Sequence, residues 1–338
     1  MKFWDREKEI RDLKRYLQSE PNAILFVYGP KSSGKSTLLM KVAQEMKRDR
    51  VEFLWYDLRG YAIEKAEDAI SILLGGKGIS DTLAKVFDIN LFALSIKTDE
   101  LLKIFKKEKD PFVVLEKELV KGKEKGITPV VVFDEIQNLK DIYLNGERGL
   151  VDRLFNFFVR ITKVMHLAHV LVMTSDTFFI EEVYSSSALK NTSRYYLVDY
   201  FDDETAFEIL AEEGLSEEDA RYVVEWIGGI PWMIEEVVKS DDPKNTAEEL
   251  YEDHRARLRN FLLECEMVDE VREVLRDLLE GDFELSRNSI KAVKELVKSE
   301  VLFYDPLKGN VRFQTKLDER AARELLGKTA LPGEKGGS

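Results

Sequence analysis

The stretch that most constrains this chain is Gly29-Pro30-Lys31-Ser32-Ser33-Gly34-Lys35-Ser36-Thr37, read together with its flanks. Ahead of it stands AILFVY (23–28), a continuous apolar run suited to a strand buried on both faces, as in a parallel sheet covered by helices. Behind it, Ser36 to about Lys47 sets Leu38, Leu39, Val42 and Met46 on one helical face. Glycines let the backbone curl until successive N–H groups converge on one point, and the helix opening after Gly34 adds the positive end of its dipole. The pattern G-x-x-x-x-G-K-[ST] between a strand and a helix therefore predicts a phosphate cradle. The backbone of Gly29 through Gly34 would wrap the β-phosphate and Lys35 would reach the β- and γ-phosphates. The Ser36 hydroxyl would ligate Mg²⁺, with Thr37 near the α-phosphate. The expected fold is α/β, a P-loop core on a five-stranded parallel sheet, and the expected ligands are ATP or ADP with Mg²⁺.

A second motif supports the same site. In PVVVFDEIQN four apolar residues deliver Asp134 to the carboxyl end of a strand, where an acid orders Mg²⁺ and its water. Glu135, on the other side of that strand end, is expected to polarise the attacking water. HVLVMTSD ends a further strand in Thr174 and Ser175, which are placed to meet the γ-phosphate or the water if that strand lies between the other two. Arg194, just before a fifth strand, is a candidate arginine finger or a sensor acting within the chain. Arg153 and Arg160, seven apart on one helical face, are weaker candidates.

Composition narrows the alternatives. A length of 338 residues suggests roughly two domains of about 150. The net charge is −13, so DNA binding would need a local basic patch, and Lys106–Lys107 and Lys121–Lys125 are only short runs. The single Cys265 excludes an intramolecular disulfide and a cysteine metal cluster. His166 and His169 are three apart, a spacing read as incidental without further ligands. No apolar run approaches the ~18 residues of a membrane span, and MKFWDREKE lacks the apolar core of a signal peptide. A cytoplasmic protein is expected.

Along the chain, strands are expected at 23–28, 51–58, 130–133, 169–175 and 194–200. Residues 61–127 read as mostly helical, including DTLAKVFDINLFALSI. That insert is long for a connection and carries Leu91, Phe92, Leu94, Leu101, Leu102 and Ile104, a candidate partner surface or a covering layer on the sheet. After about 202 the pattern is helical until a hairpin in LFYDPLKGNVRFQ.

Together these motifs resemble the archaeal ATPases of the STAND branch of AAA+ proteins. FWDREKEI (3–10) resembles that family's opening F-x-x-R-E-x-E-[IL]. GGIP (228–231) resembles the G-G-x-P of its helical lid, and the hairpin with its flanking helices resembles its C-terminal winged-helix-like domain. The resemblance implies a core over 1–200, a lid over 201–242, a winged-helix-like domain over 243–327 and a disordered tail over 328–338. It implies that Phe3, Arg6 and Pro231 approach the adenine or ribose, although Trp232 stands where a smaller residue is common. The function expected is ATP hydrolysis driving a conformational switch that binds protein partners. The alternative is a DNA-processing ATPase acting through Lys291, Lys294, Lys298, Lys308, Arg312 and Lys316. A small-molecule kinase fits poorly with Glu135.

Overall fold

The computed structural model describes residues 4–61, 63–75, 88–96, 103–104, 106, 109–144, 148–185 and 189–327. The chain forms two compact units. One is Arg6–Gly29 with Gly34–Val198; the other comprises the described residues of Met1–Asp5, Pro30–Ser33 and Asp199–Ser338.

The first unit is built on a five-stranded sheet of β1 (Ile24–Tyr28), β2 (Val51–Asp57), β3 (Thr128–Asp134), β6 (His169–Thr174) and β7 (Ser193–Leu197), in the order β2-β3-β6-β1-β7. Every pairing in it is parallel. The two-residue strands β4 (Tyr143–Leu144) and β5 (Arg148–Gly149) form a separate antiparallel pair. β1 and β6 are buried throughout, as continuous apolar runs require when helices cover both faces. Parallel register has a direct functional result: Tyr28 pairs with Thr174, and Asp57 pairs with Asp134, which pairs with Met173. The ends of four neighbouring strands thus meet along one edge. Between β3 and β6 the helix Leu150–Val159 buries Leu150, Leu154, Phe155 and Phe158, and Phe133 and Phe158 lie 5.0 Å apart between ring centroids. Past Val159 this helix widens into a π-helical turn at Arg160–Val164, where the Thr162 hydroxyl donates to Phe158 O at 2.7 Å.

The described part of the insert departs from its expected helicity, while 76–87 and 97–102 fall outside the described residues. Ala66–Gly75 and Pro111–Glu124 are helices, but 89–96 is not. There Leu91 makes a parallel bridge to Phe53; Phe53 N donates to Asn90 O (3.0 Å) and Phe92 N to Phe53 O (2.9 Å). The free edge of β2 offered unpaired backbone groups, and satisfying them outweighed a helical side-chain pattern. Phe92 and Ile104 belong to the buried core and Leu94 packs against it, so these residues cover the sheet. Leu91 is half-buried; Leu101 and Leu102 fall outside the described residues.

In the second unit, three helices, Asp203–Glu212, Glu217–Ile227 and Pro231–Lys239, are followed by Pro243–Glu264, Val268–Glu280 and Ile290–Lys298. The antiparallel hairpin β8 (Leu302–Asp305) and β9 (Asn310–Phe313) and the helix Lys316–Leu325 complete it. Asp202, Ser216, Asp242 and Thr315 cap helices through their side chains. Gly228 has φ 63° and ψ −147°, a conformation open essentially to glycine alone. A Cβ on Gly229 would lie 2.0 Å from Phe201 O, because these two segments form a backbone bridge.

Candidate functional site

The glycine loop leaves β1 at Tyr28 and re-enters a helix at Lys35. Gly29 (φ 156°), Ser32 (φ 61°) and Gly34 (φ 88°) take positive φ, the sharp curl a cradle of inward N–H groups needs. Pro30 and Ser33 are buried, Ser32 is exposed, and Gly34 and Thr37 are half-buried. Lys31 turns outward to pair with Glu300, in the same compact unit. Lys35 lies inward, only 7% exposed, its Nζ donating to Gly29 O at 3.0 Å. Burial lowers its pKa to about 8, against the pull of Glu135 and Asp134 and with the push of Arg59. A cation held there at an electrostatic cost is primed for an anion.

Facing the loop, the Ser36 hydroxyl donates to Asp134 Oδ2 at 2.8 Å. Asp134 is 1% exposed, and burial raises its carboxyl to about 6 despite Arg59 and the Ser36 hydrogen bond. The pair is a hard oxygen donor set of the kind Mg²⁺ takes. Glu135 sits in the left-handed region at φ 61°, ψ 50°, a cost of about 1 kcal/mol for a non-glycine residue. Its carboxylate is gripped: Ser175 Oγ donates to Oε1 at 3.0 Å, Ser175 N donates to Oε2 at 3.4 Å, and Gln137 Nε2 also donates to Oε2. Gln137 is in turn fixed by Thr174 Oγ1, which donates to its Oε1 at 2.9 Å. β6 lies between β1 and β3, so Thr174 and Ser175 fall between loop and acids as the strand reading required.

Two participants escaped the sequence reading. Gln137 follows Glu135 by two residues in DEIQN, and only the turn Ile136–Leu139 brings its amide back. Arg59, on the short 3₁₀ turn Leu58–Gly60, donates to both oxygens of Asp57 (Nε–Oδ1 2.9 Å, Nη2–Oδ2 3.1 Å) and from Nη2 to Asp134 Oδ2 at 2.8 Å. Its pKa is raised, first by the side-chain bond to Asp57. The available signal was an acid-arginine pair ending a buried strand, in WYDLRG.

Other named residues stand apart. Arg194 is exposed and pairs in register with Leu25, near the amino end of β7, whereas the loop and acids occupy the carboxyl ends. It does not join the cluster. Arg153 pairs with Asp110, and Arg160 with Glu116. Arg6 is buried before the first helix, its Nη1 donating to Glu9 at 2.9 Å. Phe3 lies outside the described residues. Pro231 opens the helix Pro231–Lys239, and Trp232 beside it is 40% exposed. Within that unit a cavity of about 550 Å³ is bordered by Tyr200, Gly228, Gly229, Ile230, Arg312 and Lys316. His169 is buried with Nε2 at 3.1 Å from Ser19 O, and among the described residues no cluster of three or more His, Cys, Asp or Glu could hold a metal.

A family described as an ATPase domain predominantly from Archaea matches residues 3–237. An uncharacterized ATP-binding protein of Methanocaldococcus jannaschii is 38% identical, covering 96% of this chain and 95% of its own length. One from Pyrococcus abyssi is 32% identical over 96% of this chain and 98% of its own. Among solved structures, a Walker-type ATPase of Pyrococcus abyssi superposes with a TM-score of 0.68 at 18% identity, covering 95% and 96% of the two chains. The ORC2 protein of Aeropyrum pernix, in ADPNP–ADP complexes, does so at 0.55 with 10% identity, covering 96% and 95%. The structural likenesses establish the α/β P-loop fold, and the sequence match is broad enough to assign membership: the chain belongs to the family of ATPase domains found predominantly in Archaea.

Proposed function

We propose that this family member couples Mg²⁺-dependent ATP hydrolysis to a conformational switch. The observation that carries the reading is the gripped Glu135. A carboxylate held by Ser175 and Gln137, beside the Ser36–Asp134 pair and Lys35, is what a water-activating base next to a γ-phosphate requires. In this reading the backbone of residues 29–34 and Lys35 bind the phosphates, and Thr37 lies beside the α-phosphate. Ser36 and Asp134 would hold Mg²⁺, which when bound neutralises phosphate charge. Glu135 takes the proton of the attacking water, and Ser175 keeps Glu135 aimed. Arg6 and Pro231 are assigned to the base side on the strength of the resemblance of the opening segment and GGIP to STAND ATPases. Arg194, exposed and apart from this cluster, is assigned as the candidate arginine finger toward a neighbour's nucleotide rather than as a sensor within the chain.

The same resemblance supports a lid over 201–242 and a winged-helix-like domain over 243–327, where three helices precede a hairpin. Hydrolysis would release the γ-phosphate contacts and let these parts reorient, exposing a surface to a protein partner. The decisive test is steady-state ATP turnover beside Glu135→Gln. The mutant should lose about 100-fold or more in kcat while binding a fluorescent ATP analogue as the wild type does. Equal turnover in the two would remove Glu135 from the chemistry, and a wild type without turnover would overturn the hydrolytic reading.

A further inference from the structure

Asp134 Oδ2 accepts two hydrogen bonds, each at 2.8 Å: one from Ser36 Oγ and one from Arg59 Nη2. The first partner belongs to the phosphate loop. The second comes from beyond the end of another strand and has no role in the proposed hydrolysis. Its side chain is 52% exposed, and the guanidinium is anchored through Nε and the same Nη2 by a two-pronged contact with Asp57, the residue paired in register with Asp134.

Taking Ser36 and Asp134 as the Mg²⁺ ligands, a reading on which this inference rests, we infer that Arg59 is a positioning residue. It competes with the divalent cation for Asp134 Oδ2 and is retained by Asp57 when the cation takes that oxygen. A carboxylate oxygen engaged by a hydroxyl and a guanidinium has little room for a dication at a bond length of ~2 Å. A unit positive charge adjoining that oxygen repels an arriving double charge. Asp57 supplies a second carboxylate on the same guanidinium, so release from Asp134 costs one charge-assisted bond and leaves two in place. Arg59 thereby keeps Asp134 ordered and partly neutralised, and sets a threshold for cation loading. The half-exposed side chain can swing toward solvent without disturbing the core.

The test uses the full chain saturated with ADP. Mn²⁺ is titrated in and free Mn²⁺ is followed by electron paramagnetic resonance. Arg59→Ala should bind Mn²⁺ about tenfold tighter than wild type, as expected when one screened like charge is removed a few ångströms from the ion. Arg59→Lys, which keeps the charge and loses the fork, should stay close to wild type. ADP affinity measured in EDTA should not change in either variant. Unchanged or weaker Mn²⁺ binding in Arg59→Ala overturns the inference. So does a loss of ADP affinity in EDTA, since Arg59 would then be a phosphate ligand. If the wild type itself binds neither ADP nor Mn²⁺, the functional reading falls and takes this inference with it. A wild type that binds both leaves Arg59 alone on trial.

Discussion

Lys35 is a charged side chain buried at the loop, and its lowered pKa measures what the fold concedes to keep it there. Replacing it with methionine removes the desolvation cost and keeps most of the volume. Lys35→Met should therefore raise stability by about 2 kcal/mol in the absence of nucleotide while abolishing ADP binding, checked by urea denaturation and calorimetric titration. Ser175→Ala removes one grip on Glu135 and should lower kcat about tenfold with little change in KM. At this scale the sequence was most legible where a motif is contiguous: the loop, Asp134 and Glu135, and the Thr174–Ser175 strand end. It was silent where a contact depends on which strands are neighbours. Arg59 reaches Asp134 only because β2 and β3 pair in parallel register, and Gln137 reaches Glu135 only because Glu135 adopts a left-handed turn.

Elements carry their own consequences. His169 opens β6, buried against Tyr16 with ring centroids 5.1 Å apart. Burial is the main cause that lowers its pKa from 6.5 to about 4. The folded protein keeps His169 neutral, so as pH falls below 6.5 the unfolded chain takes up a proton that the fold refuses. Stability falls with acid until about pH 4, where both states are protonated. Between pH 7.5 and pH 5 the wild type should lose about 2 kcal/mol more than His169→Gln, read from guanidinium denaturation of both proteins at each pH. Gly229→Ala would drive a Cβ into Phe201 O and should cost more than about 2 kcal/mol, visible as a drop in melting temperature. Most elements were readable from apolar periodicity and from glycine and proline stops. The segment 89–96 is one exception: it carries a helical apolar spacing, yet its backbone joins the open edge of β2 at Leu91. Edge pairing is a property of the assembled sheet, and no local pattern announces it.

For the molecule as a whole, the charge of −13 weighs on the choice between protein and nucleic-acid partners. Lys308, Arg312 and Lys316 are each matched by an aspartate, Asp305, Asp199 and Asp203 respectively. Lys291, Lys294 and Lys298 are exposed on one helix. Reversing the charge of these three should leave any duplex binding, measured by fluorescence anisotropy at low salt, within about twofold of wild type; a larger loss would favour the DNA reading. Among the described residues no helix is long and apolar enough to cross a membrane. The backbone crosses between its two compact units at Asp5–Arg6, Gly29–Pro30, Ser33–Gly34 and Val198–Asp199, and two of those crossings fall inside the glycine loop. A genetic exchange that swapped either unit for a foreign one would have to cut and rejoin the coding sequence within that loop. Recombination is thereby discouraged, and the two units are expected to descend together as a single heritable piece.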